Sequence, residues 1–235
     1  MGIAKEFGRK MAPKAAHAAP GLTSRVVLEA LDRAIDGIGP LPGAAKAAKK
    51  QLDEQHGDVE KAIREVIENN VALAGAQGFA TNLGGIATAA VTLPANIVGL
   101  AILQCRLIAG IAHLRGHDIT DLRVRNAILA TLLGEDEVKA LVKAKKLDGG
   151  PYAIATAPTG DPQARIMLAT EVGASLVGKV AGKRLVTFAG RRIPVVGGVV
   201  GAGSDGFSTW RAGRYAASVF KPVRPDVVKG TATEV

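Results

Sequence analysis

Apolar residues recur at three- and four-residue spacing through most of the chain, the period that lines one face of an α-helix. Val27, Leu31, Ala34, Ile35 and Ile38 form the first stripe, with Thr23 or Ser24 as its capping residue and Gly39-Pro40 as its stop. Pro42-Gly43 opens a second helix, rich in alanine and lysine, that runs out at His56-Gly57. Asp58 is an N-cap for a third. Val59, Ala62, Ile63, Val66 and Ile67 share its apolar stripe, and Glu60, Lys61, Arg64, Glu65 and Glu68 fall elsewhere. Then charge disappears: from Asn69 to Cys105, 37 residues include no Asp, Glu, Lys or Arg. This run divides at Leu93-Pro94. Before it lies a glycine- and alanine-rich segment. After it, a helix runs from Pro94 in its first turn through Ile97, Leu100, Leu103, Leu107 and Ile111 to Leu114, and Gly116 supplies a left-handed stop.

Asp118 or Thr120 caps the next helix, which carries Leu122, Ile128, Leu129, Leu132 and Leu133 and closes at Gly134. An amphipathic, lysine-rich stretch follows to Leu147. Residues 148–162, with their Gly-Gly-Pro and Pro-Thr-Gly-Asp-Pro runs, read as a surface loop. A helix is expected over 163–183, and a valine- and glycine-rich run from Val195 continues through Trp210, Arg214, Tyr215 and Phe220. No alternating strand pattern stands out. The chain therefore reads as all-α: a multi-helix bundle of Gly/Ala-rich, close-packed helices around a central apolar helical hairpin. Residues 1–21 read as a flexible basic arm, 22–220 as one helical domain, and 221–235 as a frayed tail.

The small residues need a physical reason, because glycine inside a helix costs about 1 kcal/mol relative to alanine. Gly197, Gly201 and Asp205 recur every fourth residue and share one face. Such a face lets two helix backbones approach closely. The same composition occurs in membrane helices and in soluble bundles. On length, 71–93 and 95–114 could each span a bilayer. On polarity, Gln77, Asn82, Asn96, Gln104 and Arg106 argue for a buried soluble hairpin instead, and both readings stay open.

Charge adds a direction. The net charge is +9, from 30 basic and 21 acidic residues. Residues 1–70 hold 11 basic and 10 acidic side chains, whereas 164–235 hold 11 and 4. The basic excess is thus mostly C-terminal, at Lys179, Lys183, Arg184, Arg191, Arg192, Arg211 and Arg214. Such a surface suits anionic lipid or an acidic membrane partner. Aromatics make up only 3% of the chain, and no zinc-finger, RNP or KH signature is present, which argues against nucleic acid. No apolar run follows the N-terminal charges, so the expected place is the cytosol or the cytoplasmic face of its membrane.

Candidate chemistry is sparse. One cysteine excludes a disulfide framework, and Cys105 sits among aliphatics as an inert core residue. His113 and His117 have the spacing of a zinc pair, but Gly116 should end the helix between them. Gly201-Ala202-Gly203-Ser204-Asp205-Gly206 matches a dinucleotide fingerprint, yet only 29 residues follow it, too few for the βαβ unit that the fingerprint serves. No metal or cofactor is called for. Arg106 is the most informative single residue. A cation in a long uncharged region is costly unless paired, and Asp118, Asp121 or Asp205 are its expected partners, with a lipid phosphate as the alternative.

Two segments carry a family likeness. Thr92-Leu93-Pro94-Ala95-Asn96, then Leu103-Gln104-Cys105-Arg106 and Arg115-Gly116-His117-Asp118, resemble the middle of the EcsC protein family. Ile193-Pro194-Val195-Val196-Gly197-Gly198-Val199-Val200-Gly201-Ala202, followed by Arg211-Ala212-Gly213-Arg214, resembles that family's second hallmark. The likeness covers roughly residues 60–220. Its motif positions here are Leu93, Pro94, Asn96, Arg106, Gly116, Asp118, Pro194, Gly197, Gly201 and Asp205. Asn96 replaces the family's usual Asp, and Asp205 its frequent Asn. The resemblance implies a bacterial, mainly helical protein working beside a transporter at the cytoplasmic membrane, with no established catalytic mechanism. The expectation is a non-catalytic protein that binds anionic lipid or a membrane protein. Competing classes are a soluble hydrolase using His117, Asp118, Asp121 or Asp205 in a cleft, and a soluble scaffold for another protein.

Overall fold

The described helices are built around one fully buried stretch, residues 101–112. The computed structural model describes residues 20–83, 89–189 and 194–223, with side chains over 24–77, 98–176 and 203–223. In chain order the elements are α1 (Pro20–Asp36), β1 (Gly37–Ile38), β2 (Leu41–Pro42), α2 (Ala44–Glu54), α3 (Val59–Leu83) and α4 (Ala89–Leu114). Then come α5 (Leu122–Leu133), α6 (Glu135–Lys143), α7 (Pro151–Ala155), α8 (Pro162–Ala189) and α9 (Pro194–Val219). The fold is all-α, a multi-helix bundle, as its periodicity implies. Its sheet among the described residues is one two-residue antiparallel pair, Gly37 opposite Pro42 and Ile38 opposite Leu41.

Every residue from Ala101 to Ala112 on α4 is buried, so this helix has no solvent face over three turns. A helix that is apolar all round must be surrounded. It is: α1, α2, α3, α5 and α9 all pack on it. The buried apolar side chains form one cluster, from Val27 on α1 to Phe220 just past α9. Leu107, Ile108 and Ile111 sit at its centre, fully enclosed. Among the described residues, no helix is long and apolar enough to cross a membrane. Two of the polar residues that interrupt the apolar hairpin, Gln104 and Arg106, are hydrogen-bonded inside the bundle. Gln104, for instance, donates to the Ser208 and Thr209 hydroxyls of α9 at 3.1 and 3.3 Å.

Small residues set the spacing where α9 runs antiparallel along α3. Gly206 faces Val71 and Gly213 faces Ile67. A Cβ on Gly213 would lie 2.8 Å from Ile67 Cγ1 and 3.2 Å from Leu107 Cδ2, closer than side chains pack. Asp205, on the sequence-derived glycine face, is buried. The Gly201–Gly206 run lies inside α9, not in a strand-to-helix loop, so it forms no phosphate cradle.

Ion pairs hold the outer helices in place. Asp32 on α1 accepts from Arg125 on α5 and lies 3.7 Å from Arg165 on α8, joining three helices. Arg115, one residue past α4, forms a forked pair with Glu60 on α3.

Several boundaries differ from the sequence pattern. The first helix starts at Pro20, so Thr23 and Ser24 lie inside it. Proline also opens α7, α8 and α9, where its missing N–H is no loss. Pro94 departs from this: α4 begins at Ala89, which places the proline inside the helix and beyond the first turn. The third stripe does not end where charge ends; α3 continues from Val59 to Leu83. Asp121, not Asp118 or Thr120, caps α5, its carboxylate accepting from the Arg123 N–H at 2.8 Å. Pro151 nucleates the short α7 within the 148–162 loop. The segment from Lys221 begins tied down: the Val223 N–H donates to the Arg115 carbonyl at 2.9 Å. Asp58 does cap α3, and Gly116 and Gly134 take positive φ at the helix ends assigned to them.

Candidate functional site

The basic residues expected to face a partner divide into two sets. Lys179, Lys183 and Arg184 are on α8, but their side chains lie outside the described residues, and Arg191 and Arg192 lie outside them altogether. Arg211 and Arg214 are exposed on α9. They share a face with Phe207 and Trp210, because positions 207, 210, 211 and 214 follow the helical repeat. Phe207 is 61% exposed and Trp210 46%, high values for such large apolar side chains. Their rings stack, with centroids 6.0 Å apart and planes 20° from parallel. The Arg214 guanidinium lies 5.9 Å from the Trp210 ring centre, a cation–π arrangement. Lys221, two residues past the end of α9, is also exposed. The opposite side of the same helix carries Asp205, Thr209, Gly213 and Ala216 into the core.

The polar residues of the Gly116 turn are engaged in structural contacts. Asp118 accepts from the Thr120 N–H at 2.9 Å and from its hydroxyl at 2.7 Å, and these bonds hold its carboxyl below the usual range. Asp121 is held low by the Arg123 side chain, which donates to it from Nε at 3.0 Å. His117 donates from Nε2 to the Lys221 carbonyl at 2.9 Å and meets the Phe220 ring edge-on at 5.3 Å. Burial lowers its pKa, partly offset by that bond. His113, His117, Asp118 and Thr120 line a cleft of about 360 Å³, but Asp205 is not part of it. The four residues a hydrolytic site would combine are therefore not gathered together. Among the described residues, no three His, Cys, Asp or Glu side chains converge as metal ligands. Cys105 is fully buried and its thiol is pushed up to about 12 by that burial, so it stays protonated.

Arg106 has partners other than the expected carboxylates. Its Nε donates to the Pro42 carbonyl at 2.9 Å, and its Nη1 donates to Asn70 Oδ1 at 3.2 Å. Asn70 is itself fixed, donating from Nδ2 to the Val66 carbonyl at 2.7 Å. Asp118 and Asp121, two of the expected partners, are committed to Thr120 and Arg123. Arg106 as a whole is only 9% exposed, and burial pushes its pKa down from the ordinary value. Arginine keeps its proton all the same, so the charge is real and held by neutral groups.

The remaining family-motif positions are structural or only partly described. Leu93, Pro94 and Asn96 lie on α4, and Pro194, Gly197 and Gly201 on α9, with their side-chain surroundings outside the described residues. Gly116 ends the α4 segment at φ +86°. The sequence signals for Phe207 and Trp210 were their spacing with Arg211 and Arg214. Asn70 carried no such signal, since it is an ordinary polar residue at the edge of a helical stripe. Among known proteins, no family model, no curated protein and no solved structure matches the chain.

Proposed function

We propose that this protein binds the anionic face of a membrane peripherally, through the exposed face of α9. The observation that carries this reading is the stacked Phe207–Trp210 pair flanked by Arg211 and Arg214. Aromatic rings with polar edges suit the headgroup level of a bilayer, and arginine stems lie along apolar surface while their heads reach phosphate. The cytoplasmic leaflet is the anionic one and the natural target. On this reading the protein is a binding protein, not a catalyst, and α3 and α4 stay packed in the bundle. Membership of the EcsC family, with its transporter-linked setting, belongs to the same proposal and rests on motif order.

Co-sedimentation with vesicles tests it. The protein should pellet with phosphatidylcholine vesicles containing phosphatidylglycerol and not with pure phosphatidylcholine. Each basic residue at an anionic surface contributes about 1 kcal/mol, so Arg211→Ala with Arg214→Ala should weaken partitioning roughly 30-fold. Phe207→Ser with Trp210→Ser should remove the part of the binding that survives high salt. Charge reversal at Arg191 and Arg192 should add to the arginine effect. Absence of binding to either vesicle, or binding indifferent to these changes, overturns the lipid reading and leaves a membrane protein as the partner to seek.

A further inference from the structure

We infer that the cleft beside Arg106 is a binding site for an amphipathic oxyanion, a carboxylate or phosphate group borne on a short apolar body. The cleft lies among α2, α3 and α4 and has a volume of about 370 Å³. That is within the usual range of small-molecule sites, roughly 300–1,000 Å³. Arg106 lines it, and Lys50 stands at its exposed edge. Among the described residues, no aspartate or glutamate contributes to its lining. Lys50 has Glu54 at 3.5 Å, but both are solvent-exposed, and such a pair is weak.

The chemistry of the ligand follows from what Arg106 has left to give. A guanidinium carries five N–H donors. One goes to Pro42 and one to Asn70, and both acceptors are neutral. The remaining donors and the full positive charge are unused by these bonds. A nearly buried cation held only by neutral acceptors carries a desolvation cost that an anion would offset. The two bonds also fix the plane of the fork, which prepares it for a two-oxygen ligand. Gln51 lines the same cleft and adds a neutral polar group to its wall.

The rest of the lining sets the other half of the ligand. Ala44, Ala47, Ala48, Val66, Ala72 and Leu73 make most of the walls apolar. A bare inorganic anion would leave these walls against water. An anion with a hydrocarbon body covers them, with its head at Arg106. This site does not depend on the α9 membrane reading, since it uses other residues and a different face.

Isothermal titration with octanoate, octyl phosphate, octanol and inorganic phosphate tests the inference. One of the two octyl anions should bind saturably at one site. Octanol and inorganic phosphate, each lacking half of the ligand, should bind at least tenfold more weakly. Ala72→Phe, at an exposed position, should fill the cleft and cost at least tenfold in affinity while leaving the unliganded melting temperature unchanged. Lys50→Glu should act in the same direction. Arg106→Gln keeps a donor for Pro42 and removes the charge; because it also touches the core, Ala72→Phe carries the test if that variant fails to fold. Three results would overturn the inference: no saturable binding of either octyl anion, binding unaffected by Ala72→Phe, or inorganic phosphate as tight as octyl phosphate. None of these bears on vesicle binding through Trp210, so the two readings fail separately.

Discussion

Phe220 fastens the end of α9 to the core, and its truncation should be among the most damaging single changes in the molecule. The residue lies one position beyond the helix and is fully buried, in edge-on contact with His117. Its neighbours Lys221 and Val223 bond back to His117 and Arg115. Phe220→Ala removes a whole ring from a packed site, which costs about 3–5 kcal/mol. Total stability of a domain is about 5–15 kcal/mol, so about a fifth or more is at stake. At roughly 2–4 °C per kcal/mol for a chain of this size, the melting temperature should fall by roughly 6–20 °C. Urea unfolding followed by far-ultraviolet circular dichroism measures the loss, and a constant slope against urea verifies that the transition keeps its character. Phe220→Leu, which retains most of the apolar volume, should lose distinctly less. A loss below about 1 kcal/mol for Phe220→Ala, typical of an exposed surface position, would refute the docking of this segment.

Two further outcomes follow from the packing and the turn. Gly213→Ala gains about 1 kcal/mol of helix propensity, yet its Cβ would meet Ile67 at 2.8 Å, an overpacking that costs about 1–3 kcal/mol, so the variant should gain nothing and lose up to about 2 kcal/mol in the same unfolding assay. Stability should also fall as pH drops from 7 towards 5: burial lowers the His117 pKa, so below the ordinary histidine value of about 6.5 the unfolded chain takes up protons that the folded one refuses. His117→Gln, which keeps a donor for the Lys221 carbonyl, should flatten that part of the profile. The carboxylates of Asp118 and Asp121, held low by Thr120 and Arg123, act only near and below pH 4, where their loss of charge removes the contribution.

The fold class was legible because burial on α4 is written directly in composition: a helix with no solvent face tolerates almost no charge. Loss of charge at Asn69 marks no boundary: α3 runs on to Leu83, with Asn69, Ala72, Leu73 and Ala76 exposed beside the buried Asn70 and Ala74. Proline was read by one rule and follows two, opening four helices yet lying inside α4. The N-cap of α5 was misplaced by one turn because Asp118, Thr120 and Asp121 are all competent caps, and Arg123 decides between them in three dimensions. Arg106 was rightly singled out as an exceptional charge. Its partners were not legible, because one is a main-chain carbonyl delivered by the small β-hairpin and the other a single amide on α3. No residue type announces either.

The central position of α4 also orders events in time. Its final wall is α9, which ends at Val219, and Phe220 locks that wall. Roughly a hundred residues are translated between the end of α4 and that lock. At about 5–20 residues per second, α4 is out of register with its last partner for roughly 5–20 s of synthesis. Throughout that interval its apolar surface lacks α9 and has only α1, α2, α3 and, once made, α5 to cover it. The nascent chain thus presents a hydrophobic rod on one open side, and a stall anywhere between α5 and α9 leaves a species prone to self-association.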